Sequence, residues 1–402
     1  MTPFQLPPRL WITALIAFIN SLSFTILLPI LYPYAKTLGL SDFEASLLTS
    51  FFAISQFFAT PILGRLSDTF GRKPLLILSL VGTVLANLLA SVATVAWVLF
   101  AARILDGITG GNNSIATAII SDSASPEHRS QAFSLFDLAF RSGFIAGPAI
   151  SYGAQLLPPM PGISSLGMSF FIGALMASIA VILTILLLPE TLAPVDRAPL
   201  RWGWQMFGLN TMVTALGDTN IGKIFVLSFL SGMTFTVFTF AFQPFFINVL
   251  QQDEKTLAVL FTAFGVVGIL AQLFLFGPLT KRFALVNLIA GAIVARSAIF
   301  LLLPLFPSTP VFILLICLLS LTNIFPLPLL NTLLSLNTKP QEQGETMGLN
   351  SSYSSISNAA GPAFSGWLVS FGYGTPFWVA GLMAIGTALY TLRLRSLRVQ
   401  SA

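Results

Sequence analysis

Two acid–base pairs stand in stretches of sequence that otherwise carry almost no charge. Arg103 and Asp106 are three residues apart, and Asp137 and Arg141 are four apart. On a helix, both spacings put acid and base on one face within pairing reach. Such a pair can be a structural ion pair, or a site that takes up and releases a proton as the pair is disturbed; the residues alone leave both roles open. Arg296 is a third isolated charge, with no acid near it in the sequence. Its expected partners are backbone carbonyls, or the interface reached by snorkelling, and direct contact with a ligand is the alternative. Other chemistry is disfavoured. One cysteine, Cys317, allows no intramolecular disulfide and no cysteine metal site, and one histidine, His128, allows no histidine metal cluster. There is no phosphate-binding loop, which argues against ATP-driven pumping.

The elements that must position these charges follow from the composition. Only 8% of the residues are charged, about a third of the roughly 25% of a soluble domain. Apolar runs of the ~20 residues needed to span a bilayer recur along the whole chain. The runs are too long and too continuous for the ten-residue alternation of a membrane barrel. The first run is too long for a signal-peptide core and is read as a retained helix. Spans are predicted at 10–34, 43–64, 74–95, 97–121, 129–155, 167–188, 222–248, 256–280, 284–304, 310–335, 344–370 and 374–394. With this layout fourteen Lys and Arg residues fall on one side, Lys36 and Lys255 on the other, and Arg103, Arg141 and Arg296 inside spans. That asymmetry predicts a multi-pass protein of the plasma (inner) membrane with both termini cytoplasmic. It also disposes of nucleic acid as a partner for the +5 chain, since the basic residues sort by side and form no stripe.

At about 100° per residue, Arg103, Asp106, Gly110, Asn113, Ser114, Thr117 and Ser121 fall on one arc of the fourth span. Ser130, Ser134, Asp137, Arg141, Pro148 and Gln155 form a stripe on the fifth. Both polar faces suit a water-filled cavity. Asn20, Gln56, Gln243, Gln272, Asn323 and Asn331 are further polar groups in spans, open to substrate or to neighbouring helices. Most of the 37 phenylalanines face lipid or pack; Phe240, Phe242 and Phe245, beside Gln243, are candidates to line an apolar pocket.

The chain repeats itself. GRLSDTF at 64–70 realigns with GPLTKRF at 277–283, AGPA at 146–149 with AGPA at 360–363, and Pro29 with Pro244, at offsets of 213, 214 and 215 residues. Two homologous six-helix halves follow, 1–188 and 222–402, joined by a cytoplasmic linker at 189–221. The linker carries Pro189, Pro194 and Pro199, with Trp202 and Trp204 as interfacial anchors. The fold class is therefore an all-α membrane protein of twelve transmembrane helices in two pseudo-symmetric bundles, an architecture of secondary transporters.

Four motifs carry a resemblance. Gly64-x-Leu66-x-Asp68-x-x-Gly71-Arg72-Lys73, between the second and third spans, resembles the signature loop of the major facilitator superfamily. Arg103-x-x-Asp106-Gly107 with Gly110 and Gly111 is similar to the fourth-helix motif of drug/proton antiporters, and Gly143-x-x-x-Gly147-Pro148 to their fifth-helix motif. Pro189-Glu190-Thr191, closing the sixth span, is also family-like. The likeness covers the whole chain and is nearest the tetracycline/multidrug antiporter branch. Thr69 departs from it where a basic residue is usual, and Tyr152 interrupts a glycine pair. The resemblance implies that the loop locks the two halves when the cavity opens outward, and that spans 1, 4, 7 and 10 line that cavity. Within the loop, Gly64 and Gly71 are expected to allow a tight turn. Asp68 is expected near the start of the third helix, where an anion suits the helix dipole, and Arg72 to reach Asp122 at the end of the fourth. The copy has Lys281 at the Asp68 position, so the latch is one-sided. Gly143 and Gly147 share a face expected to meet a helix of the second half.

The function expected is a secondary active transporter, not an enzyme: proton-coupled export of small amphipathic compounds, drug-like or tetracycline-like, by alternating access. Uptake or facilitated diffusion of a metabolite on the same fold is the alternative. A receptor or scaffold would need a larger extramembrane domain, and a channel a filter-like loop. The partners expected are substrate, protons and the bilayer, with no cofactor and a monomeric chain. Asp106 and Asp137 are the proton-coupling candidates, with Asp137 favoured. Arg103, Asn113, Arg141 and Gln243 join them as coupling or substrate candidates.

Overall fold

A computed structural model describes residues 6–125, 128–197, 203, 209–217, 220–339 and 343–391. All regular structure among them is helical: α1 Pro8–Thr25, α2 Leu31–Thr37, α3 Asp42–Phe70, α4 Arg72–Ser91, α5 Ala96–Ile108, α6 Asn112–Ser123, α7 Arg129–Ala154, α8 Ser165–Leu187, α9 Leu209–Ala215, α10 Ile221–Asn248, α11 Glu254–Ala271, α12 Gly277–Arg282, α13 Leu285–Leu302, α14 Thr309–Asn323, α15 Pro326–Asn337, α16 Gln343–Val369 and α17 Thr375–Thr391. Each of the twelve expected segments coincides with a helix or an interrupted helix. Seven helical stretches among the described residues are long and apolar enough to cross a membrane. The other segments are interrupted, short, or rich in small polar residues. Trp202, Trp204, Pro199 and the arginines beyond 391 lie outside the described residues.

The interruptions have local causes. Pro29 cannot donate to the Thr25 carbonyl and its ring crowds it. The first helix stops at Thr25 and restarts as α2 after a short turn. Gly110 and Gly111, poor helix formers, separate α5 from α6. Pro326 opens α15 two residues after α14 ends. A π-helical turn, Gln272–Phe276, separates α11 from α12. The fourth and tenth segments thus break at corresponding places, Thr109 and Asn323 being 214 residues apart.

The chain divides into two compact units. One comprises Met1–Leu40 with Ile54–Phe207, the other Ser41–Ala53 with Gly208–Ala402. The first turns of α3 therefore belong with the second unit. There Ser46 and Phe43 sit so close to Gly366 of α16 that a side chain on Gly366 would overlap Ser46. Tyr373, in the turn before α17, is bonded to Asp42; burial and the neighbouring carboxylate push its phenol up from its usual range. The core of the second unit is a phenylalanine cluster. Phe238 stacks on Phe300 at 4.7 Å, and Phe242 and Phe245 stack on Phe312. Phe240, Phe242 and Phe245, expected to line a pocket, are all buried, with Phe242 and Phe245 inside this cluster. Alternating large rings fill the space between α10, α13, α14 and α17, so these residues pack.

The repeat is visible as one joint built twice. In the first unit α1 packs on α7, and a Cβ on Gly147 would overlap the Thr25 hydroxyl. Thr25 Oγ1 donates to the Gly143 carbonyl at 3.1 Å. In the second unit α10 packs on α16, a Cβ on Gly361 would overlap Thr236, and Thr236 Oγ1 donates to the Ser357 carbonyl at 3.0 Å. Gly147 and Gly361 keep the offset of 214, while Thr25 and Thr236 differ by 211. The alignment of Pro29 with Pro244 is therefore one helical turn out of register: Pro29 lies in a break, and Pro244 inside α10.

The Gly143–Gly147 face meets α1 of its own unit, where Gly143 faces Ser21 and the Phe18 carbonyl. The expectation of a partner from the second half is thereby corrected. Small residues signal close approach without naming the helix that approaches. Pro148 is buried beside this seam. Gly147→Val is expected to lower the melting temperature and activity strongly, by overpacking worth about 1–3 kcal/mol. Half-buried Ala146→Val should cost clearly less. Thermal melts of the purified variants check this, and equal tolerance at the two positions would count against the seam.

Candidate functional site

The GRLSDTFGRK stretch is mostly helix. Residues 64–70 are the last turns of α3, and Gly71 alone connects α3 to α4. Gly64 is helical, and a side chain there would make only ordinary contact, 3.6 Å from Ser114 Oγ. The turn expected at Gly64 does not exist. Asp68 ends α3 rather than beginning the next helix. An anion in the last turn is unfavourable to its own helix dipole, and the structure answers with a cation: Arg72 Nη1 bonds Asp68 Oδ1. The same guanidinium donates to Ser67 Oγ at 2.8 Å and, through Nε, to Asp122 Oδ2 at 2.9 Å. Arg72 is buried, and it ties the end of α3 to the end of α6 as expected for Asp122.

Gly71 holds φ +109° and ψ 154°, a region that side chains all but forbid. The space where its Cβ would stand is filled by the carboxylate of Glu190. That carboxylate accepts from the backbone N–H of Arg72 at 2.9 Å and of Lys73 at 3.2 Å. Helix α4 has no acid in its first turn and no side-chain cap of its own; Glu190 supplies both from beyond α8. Lys73 Nζ donates to the Ile185 carbonyl at 2.8 Å, so this lysine also fastens α4 to α8. Glu190 is absent from the sequence-based site, although Pro189-Glu190-Thr191 stood out as a motif. Its partner is more than a hundred residues away, and no local pattern joins them. In the copy, Lys281 and Arg282 close α12, where cations suit the helix end.

The two membrane pairs form as their spacing predicts, in opposite surroundings. Arg103 Nη1 bonds Asp106 Oδ2 at 3.0 Å, with side chains 6% and 8% exposed. They line a cleft with Asn87, Ala90, Ala102 and Phe170, too narrow to hold water. Arg141 Nε bonds Asp137 Oδ2 at 2.6 Å, with side chains 51% and 58% exposed. The polar arc drawn along the fourth span does not hold. The break at Gly110–Gly111 resets the helical phase, so Arg103 and Asp106 turn into the bundle while Asn113 on α6 is exposed. On α7 the stripe does hold for Ser134, Asp137 and Arg141, all exposed, whereas Gln155 is buried.

Each unit carries a polar junction at its broken helix. In the first, Asn112 Nδ2 donates to Asn20 Oδ1 at 3.0 Å and reaches Thr83 Oγ1 at 3.4 Å. In the second, Arg296 Nη1 donates to the Ser231 carbonyl at 3.1 Å and Nη2 to Asn323 Oδ1 at 2.8 Å, with the guanidinium over the Phe235 ring. Of the three readings open for Arg296, carbonyl contact is present, and the side chain is buried rather than snorkelling. On α10, Gln243 is half-buried, and its Oε1 has no donor among the described residues.

Comparison with known proteins agrees over nearly the whole chain. Residues 13–216 and 224–401 match the model of the Major Facilitator Superfamily. The chain is 27% identical to the tetracycline resistance protein, class C, of Escherichia coli, over 94% of each chain. It is 29% identical to multidrug resistance protein 2 of Bacillus subtilis (strain 168), over 92% of each. Among solved structures, the nucleoside transporter NupG superposes with a TM-score of 0.77 at 15% identity, over 98% of this chain and 100% of that one. The Arg72 ion-pair cluster at the end of α3, the all-helical fold and these likenesses converge: the chain belongs to the Major Facilitator Superfamily and is a multi-pass membrane transporter.

Proposed function

We propose that this transporter exports small amphipathic compounds in exchange for protons, by alternating access, from a plasma membrane in which both termini are cytoplasmic. Its tetracycline- and multidrug-resistance relatives support the substrate class and direction. The observation that carries the coupling is the contrast between the two membrane carboxylates. A group that trades protons with water must be reached by water. Asp106 is sealed in a dry cleft with Arg103, whereas Asp137 is more than half exposed on α7 with Arg141. A charge exposed on a spanning helix faces water, since lipid would exact several kcal/mol. Asp137 is therefore the coupling carboxylate, Arg141 its resting partner, and Asn113 and Gln243 are substrate contacts. Asp106 with Arg103 is structural.

In proteoliposomes with an imposed pH gradient, Asp137→Asn is expected to abolish gradient-driven transport of a relative's drug, such as tetracycline, while downhill exchange persists. Full gradient-driven transport by this variant would remove Asp137 as the coupling site. Transport in wild-type vesicles that ignores the gradient in either direction would favour facilitated diffusion instead.

A further inference from the structure

Arg296 is 2% exposed, yet no acid balances it among the described residues. No ion pair among the described residues involves it. From Lys255 to Gln341 the sequence has no Asp or Glu at all, nor has it between Asn220 and Gln252 or beyond Glu345. The carbonyl of Ser231 and the C-terminal end of α14 offer partial negative charge, at most about half a unit for a helix end. Nε has no acceptor among the described residues. A buried cation left in this state is costly.

The fold does not need that charge. The first unit joins the same three helices, at the same break, with neutral groups. Asn20 corresponds to Ser231 at the offset of 211 that relates Thr25 to Thr236. Gly82 corresponds to Arg296, and Thr109 to Asn323, both at 214. Gly82 simply lets Thr109 pack against it. Arg103 and Asp106, the charged pair beside that first junction, cancel each other. The second junction has the arginine without the acid.

We propose that this junction, Arg296 with Asn323 and Ser231, binds the acidic group of a transported amphipathic organic anion, whose carboxylate completes the missing pair. This rests on the transport reading above and narrows its substrate class. A guanidinium presents a planar fork of donors matched to a carboxylate. Asn323 and Phe235, which touch the guanidinium, are only half-buried, so a ligand would approach Arg296 past them. The start of α15, uncapped by any side chain, adds positive potential at the same break. Phe235, under the guanidinium and beside Phe238 at 6.1 Å, offers an aromatic wall for the apolar body. Unwound helices at matching places in two repeats are where transporters hold their cargo.

The test is calorimetric titration of the purified full chain in detergent with 2-naphthoate and with its neutral isostere 2-naphthamide. Wild type is expected to bind the acid at least tenfold more tightly than the amide. Arg296→Gln should erase that preference without weakening the amide, and Asn323→Ala should narrow it several-fold. Equal affinity for acid and amide in wild type overturns the proposal, as does a preference that survives both substitutions. Should Arg296→Gln fail to fold, Arg296→Lys takes its place: a point charge without the fork should reduce the preference, and an unchanged preference overturns the site. The titration is run without a pH gradient, so loss of the anion site and loss of proton coupling are read separately.

Discussion

Gly71→Ala is expected to destabilise the protein by roughly 3 kcal/mol and to lower its melting temperature visibly in detergent. Two costs add. The backbone conformation at φ +109° is essentially reserved for glycine, and forcing a side chain into it costs about 1–3 kcal/mol. The new methyl would also occupy the place of the Glu190 carboxylate. That carboxylate must withdraw, and the charge-assisted bonds it accepts at the start of α4 weaken or break, each worth about 1.5–3 kcal/mol. Glu190→Gln separates the terms: it removes the charge, keeps an acceptor and leaves Gly71 unstrained, so its loss should be the smaller. A Gly71→Ala variant that melts with wild type would show that the carboxylate is not seated there.

Arg72→Ala is expected to lose transport at least tenfold, with Asp68→Asn close behind. Arg72 is a cation that Asp68 and Asp122 share. Removing it leaves two carboxylates facing each other, one of them only 23% exposed. A buried pair broken on one side costs about 3–5 kcal/mol, and partial exposure here brings that nearer ~1–3 kcal/mol. Asp68, at 45% exposure, contributes little stability. Its loss should therefore appear in transport rate and barely in melting. That split is the signature of a gate, because a purely structural pair would move stability and rate together. Transport by Asp68→Asn at the wild-type rate would reduce the cluster to an anchor.

Much of this architecture could be read from the sequence, because it rests on patterns that a chain must display. Apolar length betrays a span, and AGPA at 146 and 360 betrays a helix joint that the structure builds twice. The Arg72–Asp122 tie was legible because a positively charged loop residue needs an acid and few are present. What was hidden depends on breaks and on distant partners. Two glycines at 110 and 111 shift the phase of everything after them, so a face drawn through the fourth span put Asp106 in water when it is sealed in the bundle. Glu190 caps a helix that begins at Arg72, a pairing that no window of sequence contains. Arg296 was visible as a charge without a partner, while its place at the tenth segment's break required the fold.

The doubled joint between α1 and α7 and between α10 and α16 has one asymmetry. In the first, the serine belongs to α1 (Ser21) and the hollow to α7 (Gly143); in the second, the hollow belongs to α10 (Gly232) and the serine to α16 (Ser357). Ser21 donates to the Phe140 carbonyl, and Ser357 to the Phe229 carbonyl, so the bond crosses the seam from opposite banks. The two seams thus meet one steric problem in opposite ways. Neither helix can now be exchanged between halves alone: α10 in place of α1 would set glycine against glycine, and α16 in place of α7 would set serine against serine. Exchange of both helices of a pair between the units is therefore expected to keep the seam's fit, and exchange of one helix alone to lose it.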